Sequence, residues 1–305
     1  MTSNIITLSV KPRGKPIKGL PEEIEIAQGG SSAELYQALS SKSRFPLHRL
    51  RITKGIDGSY ILNSKDITID HTGLREQSVI YVKDLGPQIV WRTAFIIEYI
   101  GPLLIHPLVY FLRPYIYNTN EPPSELQTLS LILITVHFLK RELETLFVHR
   151  FSLATMPIFN IFKNSFHYWA LAGVNIAYWI YAPSSPAARP SNPAITYPAV
   201  ALYITSQACS FSTHLTLRNL RSPGSTKRGI PTGFGFGLVT CPNYLFETLA
   251  WVAIWLVTWS LSTGVLLLTA VVQMALWAKK KEIKYRKDFP GKYRKKRYSM
   301  IPGLF

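Results

Sequence analysis

Two cysteines in 305 residues, Cys209 and Cys241, are too few for a disulfide scaffold or a four-cysteine zinc site. Acids are scarce as well: 17 Asp and Glu face 34 Lys and Arg, for a formal net charge of +17. Charged residues of both signs make up 17% of the chain, against roughly 25% in an ordinary soluble domain. A simple soluble globule is therefore excluded. Disorder is excluded too, because 7 Trp, 16 Tyr and 15 Phe can bury too much surface to stay unfolded. Mean hydropathy is +0.11. A chain both apolar and strongly basic has the profile of a membrane protein.

The charges sit mostly at the two ends. Residues 1–87 carry net +3, residues 88–277 net +5, and residues 278–305 net +9, around a long apolar middle. No signal peptide is expected: the first apolar stretch, Ile5 to Val10, is too short and runs into Lys-Pro-Arg-Gly-Lys. Residues 5–10 alternate as a strand does, and residues 17–26 form a second candidate strand. Ser31-Ser-Ala-Glu34 reads as a helix start, with Leu35, Ala38 and Leu39 as its apolar stripe. Strands return at 49–53, 60–62 and 79–83. This order is that of a β-grasp unit resembling a ubiquitin-like domain over residues 1–86, and it reads as a docking module with no catalytic cluster.

A membrane helix needs about 20 mainly apolar residues. Six candidates follow, at 89–112, 125–148, 166–182, 194–216, 243–261 and 263–279, the last two forming a tight hairpin. Pro102 and Pro107 predict a kink in the first. With a cytosolic head, the positive-inside rule is satisfied on every loop: Arg150, Lys163, Arg218, Arg221, Lys227 and Arg228 stay inside, while Arg113 and Arg189 alone lie opposite. Both termini are then cytosolic. The fold class expected is a multi-pass α-helical membrane protein with an N-terminal β-grasp domain, the membrane part covering 87–305.

Three concentrations of polar residues stand out. In the second span, His137, Lys140, Arg141 and Glu144 fall within one arc of about 100°, with Leu139, Leu143 and Leu146 facing elsewhere. Charges in a membrane segment are expensive and presumed functional; the plainer alternative is an interfacial Lys140–Glu144 pair that snorkels. The loop Arg218 to Thr240 combines arginines with Pro-Gly turns, which suits a phosphate-bearing ligand but equally serves topology. Its Gly233-Phe-Gly235-Phe-Gly237 run lacks the spacing of a dinucleotide fingerprint and reads as a flexible or re-entrant turn. Finally, Cys241-Pro-Asn243-Tyr244-Leu-Phe-Glu247 opens the fifth span, where the i,i+3 spacing puts Tyr244 and Glu247 on one face. The basic tail from Lys279 suits anionic lipid, and nucleic acid is not expected as a partner.

These segments carry a family resemblance. His137-Phe-Leu-Lys-Arg-Glu-Leu-Glu-Thr-Leu-Phe-Val-His149, Leu220-Arg-Ser-Pro-Gly224, Val239-Thr-Cys-Pro-Asn-Tyr-Leu-Phe-Glu247 and the closing Ile301-Pro302 resemble the steroid 5α-reductase superfamily. Together with the N-terminal unit, they look like the very-long-chain enoyl-CoA reductases of fatty-acid elongation. The resemblance implies NADPH-dependent reduction of a very-long-chain trans-2-enoyl-CoA in the endoplasmic reticulum membrane, alongside membrane lipids and other enzymes of the elongase complex. It implies Tyr244 as proton donor, Lys140 as its charged partner and Glu144 as orienter of Lys140. NADPH contacts carried over are Arg221, Asn243, Glu247, Tyr285 and Arg297, with Arg141 a further candidate. Phe138 replaces the tyrosine expected of a steroid reductase, and the superfamily's acidic residue in the fourth span corresponds to His214. The runner-up is a steroid or polyprenol double-bond reductase; a non-catalytic scaffold and a transporter rank below it.

Overall fold

The computed structural model describes residues 4–55, 59–151, 155–220, 229–294 and 298–305. It separates into two compact units, Met1–Trp91 with Leu153–Asn160, and Arg92–Ser152 with Ile161–Phe305.

The first unit is built from strands β1 (Ile5–Pro12), β2 (Glu23–Ala27), β3 (Leu50–Lys54), β4 (Ser59–Tyr60) and β5 (Val79–Asp84), with helix α1 (Ser32–Ser43) and the single turn α2 (Ile69–Thr72). The sheet order is β2-β1-β5-β3-β4, with β1 and β5 parallel and the other pairs antiparallel. Period-2 alternation sends Ile6, Leu8 and Val10 of β1 to the core, where they meet Ile24, Ile26, Ile52, Ile80 and Val82. Leu35, Tyr36 and Leu39 of α1 cover that face. Helix α1 starts where the sequence placed it, through a capping box in which Ser31 and Glu34 satisfy each other's amides. The second strand begins later than expected, at Glu23, because residues 18–19 form a turn. Strand β6 (Gln88–Val90) pairs with β7 (Thr155–Pro157), a long-range pairing that no local pattern announces.

The second unit is helical: α3 (Trp91–Phe111), α4 (Arg113–Tyr117), α5 (Glu125–Leu143), α6 (Asn160–Ser165), α7 (Ile176–Tyr181), α8 (Pro193–Asn219), α9 (Pro242–Thr258) and α10 (Leu261–Asp288). Helical segments lie at all six places marked by the apolar runs. Two helices, α3 and α10, are long and apolar enough to cross a membrane by themselves. Helix α3 runs through both Pro102 and Pro107. Ser124 and Gln127 form a capping box at the start of α5, and Pro242 at the first position of α9 forfeits an amide that would have had no partner there. Trp259, left-handed at φ 48°, and Ser260 alone separate α9 from α10, giving the expected hairpin.

Two segments among the described residues depart from the 3.6-residue period. A π-helical turn, Glu144–Val148, extends α5, and a longer π stretch, Phe166–Asn175, leads into α7. Such widenings recur at functional sites. At the opposite end of this unit, Arg113 is buried rather than serving only as a loop charge. Its Nε donates to the Tyr181 carbonyl at 2.9 Å, while the Tyr181 hydroxyl meets His106 Nδ1 at 2.9 Å.

Candidate active site

The polar arc of α5 is satisfied by two carboxylates. Glu144, 1% exposed, takes the Lys140 ammonium at 2.8 Å, Arg141 Nη1 at 2.9 Å and His214 Nδ1 of α8 at 3.0 Å. Arg141 also donates to the Tyr99 hydroxyl at 2.8 Å. Glu247 of α9 lies 3.2 Å from His137 Nε2, and Gln207 Nε2 of α8 lies 2.8 Å from His137 Nδ1. The two ring nitrogens of His137 are engaged from opposite sides, by an amide and by a carboxylate. A chain Gln207–His137–Glu247 thus spans three helices. Burying carboxylates this deeply is favourable only with such compensation.

Beside this network lies a cavity of about 480 Å³. Arg141, Arg150, Arg218, Lys281 and Lys284 line it with His149 and His214, and no carboxylate is among its described lining residues. Asn243 and Tyr285 complete the wall. Asn243 Oδ1 is buried without a hydrogen-bond partner, an acceptor left open toward a ligand. A concave, cation-lined, partly aromatic space of this size fits a phosphorylated nucleotide. Glu144, His149 and His214 bring one ligand atom each within 4.8 Å of one another. Lys140 and Arg141 already neutralise that carboxylate and would oppose a metal cation there.

Of the residues singled out by sequence, Arg141, Asn243 and Tyr285 line the cavity. Arg221 and Arg297, with Lys227 and Arg228, lie outside the described residues. Glu247 pairs with His137 and is not among the lining residues. Tyr244 and Glu247, three residues apart on α9, meet different neighbours: the Tyr244 ring lies tilted against Trp277 of α10, with ring centroids 6.4 Å apart and planes at 48°, whereas Glu247 turns to α5. Helix α9 lies between these two helices, so the roughly 60° between i and i+3 positions suffices to send them to different partners. One expectation is corrected: Lys140 is not the cation over the Tyr244 ring. It is held by Glu144, and the ammonium over the Tyr244 ring, 5.2 Å from its centroid, is Lys281. The glycine-rich run is a packed turn: Phe234 stacks on Phe246 at 5.6 Å, Phe236 is buried, and Gly235, at φ +77°, lies against Pro242 where a Cβ would stand 2.7 Å away.

Sequence reasoning left Arg150 as a topology charge, Arg218 open between topology and a phosphate-bearing ligand, and Lys281 and Lys284 as part of a polybasic tail. A signal was present for the last two. Lys281, Lys284 and Tyr285 are spaced i, i+3 and i+4, on one helical face, and all three line the cavity.

Comparison with known proteins agrees with this arrangement. A very-long-chain enoyl-CoA reductase of Dictyostelium discoideum is 40% identical over 281 residues, covering 89% of this chain and 91% of the relative. The chain belongs to the very-long-chain enoyl-CoA reductase family. A Schizosaccharomyces pombe protein provisionally named an enoyl reductase is 42% identical over 299 residues, covering 97% of this chain and 99% of the relative. A trans-2,3-enoyl-CoA reductase-like protein of Bos taurus is 34% identical over 252 residues, 78% of this chain and 68% of the relative. The 3-oxo-5-alpha-steroid 4-dehydrogenase family matches residues 154–305. Family membership and the two long apolar helices make this a mostly helical membrane protein.

Proposed function

We propose that the chain reduces the double bond of a trans-2-enoyl-CoA, completing the elongation cycle of very-long-chain fatty acids with NADPH as reductant. The observation that carries this reading is the cationic cavity, with no carboxylate among its described lining residues, walled by Asn243, whose neighbour in the chain is Tyr244. When bound, NADPH supplies a hydride to C3 of the enoyl group. Arg141, Arg150, Arg218 and Lys284 would hold its phosphates, and the unpartnered Asn243 Oδ1 would offer it an acceptor at the same wall. Reduction leaves negative charge on the thioester oxygen and calls for a proton at C2. Tyr244 donates that proton, and the Lys281 ammonium over its ring stabilises the phenolate left behind. Lys140 and Glu144 act one layer back, keeping Arg141 and His214 in place at the cavity wall.

Several finer features belong to the same reading. Strand order β2-β1-β5-β3-β4 with helix α1 supports a ubiquitin-like β-grasp domain over residues 1–86, and the helical second unit with its long apolar helices supports a membrane-embedded reductase domain over 87–305. The six helical segments are six spans in the endoplasmic reticulum membrane with both termini cytosolic, in contact with membrane lipid and the other elongation enzymes. Relatives along the whole chain favour a thioester over a steroid or polyprenol substrate.

The test is turnover of trans-2-hexadecenoyl-CoA by purified protein. Tyr244→Phe is expected to lower kcat by about 10²–10⁴-fold while NADPH binding, followed by nucleotide fluorescence, persists. Full turnover by that variant would remove Tyr244 from the role of donor, and parent protein that consumes a steroid enone in preference to the thioester would overturn the substrate assignment.

A further inference from the structure

A second cavity, of about 300 Å³, adjoins the first. Thr232, Gly233 and Phe236 form one side, and Lys292, Tyr293 and Arg294 the other. The two cavities have structure in common. Gly229 lines the first and Ile230, next in the chain, lines the second. Tyr285 of the first wall stacks on Tyr293 of the second, with centroids 5.3 Å apart and planes at 26°.

Resting on the function proposed above, we infer that this second cavity receives the phosphorylated adenosine end of the acyl-CoA thioester. The chemistry requires two ligands at once, each ending in a phosphorylated adenosine, and 480 Å³ is space for one of them. The second cavity has the charge for the other: Lys292 and Arg294 line it, and no carboxylate is among its described lining residues. The nearby Glu282 is buried and turned inward. Its Oε2 accepts from the Tyr293 hydroxyl at 2.6 Å and from the Thr240 hydroxyl, and its Oε1 lies 3.8 Å from Arg286 Nε. Tyr293 therefore presents its ring, not its phenol, to the cavity.

Both cations are exposed. That suits a hydrated, multiply charged head and not an acyl chain. The first cavity differs in reaching inward as well, to the half-buried Arg141 and the buried Asn243. The wall is tied to the start of α9 as well. The hydroxyl of Tyr293, a wall residue, lies 3.2 Å from the Thr240 hydroxyl, three residues before Asn243. A head group seated against Tyr293 thus sits on the segment that leads directly to Tyr244.

The experiment compares two thioesters of one acyl group in the full-length protein, one on CoA and one on N-acetylcysteamine, which has no nucleotide. For Lys292→Ala/Arg294→Ala, kcat/KM for the CoA thioester is expected to fall about tenfold or more, and that for the cysteamine thioester less than twofold. Calorimetry should show 3′,5′-ADP binding weakened by a similar factor, with 2′,5′-ADP binding retained. Equal losses on the two thioesters, or 3′,5′-ADP binding indifferent to the substitutions, would overturn the assignment. So would a selective loss of 2′,5′-ADP binding, which would give this cavity to the reductant. Parent protein inert toward both thioesters would instead sink the proposed function and leave the nucleotide-binding comparison to judge the cavity by itself.

Discussion

The two units bury different chemistry. In the first, no Asp, Glu, Lys, Arg or His among the described residues is buried, and the core is Ile, Leu and Val around one tyrosine. In the second, Glu98, Glu142, Glu144, Glu282, Arg113, His106, His137 and His214 are all buried. Apolar burial stabilises without directional demands, whereas a buried charge destabilises unless its partners are in place. The first unit is therefore assembled for stability. The second accepts an unfavourable interior, and Glu144, His137 and His214 among its buried groups gather where α5, α8 and α9 meet beside a cationic cavity.

That contrast can be broken at its strongest point. Glu144→Ala leaves Lys140, Arg141 and His214 around an empty position and is expected to cost about 3–5 kcal/mol, read as loss of thermal stability in detergent. Glu144→Gln should cost less, since it keeps the shape and one acceptor. If Glu144→Ala were as stable as the parent, the buried network would not be holding this unit together.

The same question in the first unit has a smaller answer. Tyr36 Oη donates to the Ile61 carbonyl at 2.8 Å and accepts from the Ile52 amide at 3.0 Å. Tyr36→Phe strands both buried backbone groups and should cost about 2 kcal/mol, visible as faster amide exchange across β3 and β5. Exchange unchanged at Ile52 would show that water replaces the hydroxyl.

The smallest effect is electrostatic and lies at the surface of the first unit. Arg49 grips Asp84 through two hydrogen bonds, at 3.0 and 2.5 Å, and holds its carboxyl below the usual carboxylate range. The folded value is the lower one, so the stabilisation is complete above an ordinary aspartate pKa of about 3.9 and disappears as pH falls through the depressed value. Amide exchange in β5 should report a loss of ~1 kcal/mol on acidification below about pH 4, and Asp84→Asn should abolish that dependence. An unchanged acid response in Asp84→Asn would assign the effect to other carboxylates.

Local signals account for much of what the sequence foretold. The alternation of β1, the Ser31 helix start and the α9–α10 hairpin are all set by neighbours a few residues apart, which is the range over which pattern and capping act. The polar arc of α5 was legible for the same reason: i, i+3 and i+4 spacing is a property of any helix. Partner choice was not. Lys140 and Lys281 carry the same charge, and only packing decides which reaches Tyr244. The π-helical turn at Glu144–Val148 escapes a periodic reading because it breaks the period, and it is followed by His149, whose ring lies 4.9 Å from that of His214.

By itself, the sequence determined the kind of molecule: a basic, apolar, helical chain with a small sheet at its start and charges where lipid would exclude them. Tertiary structure alone decided that Arg150, Arg218, Lys281 and Lys284, distributed over more than 130 residues, face one cavity. Hydrophobic periodicity is short-ranged and survives in a string of letters, whereas a binding site is a convergence of groups remote in sequence, and only the packed helices bring them within reach of one ligand.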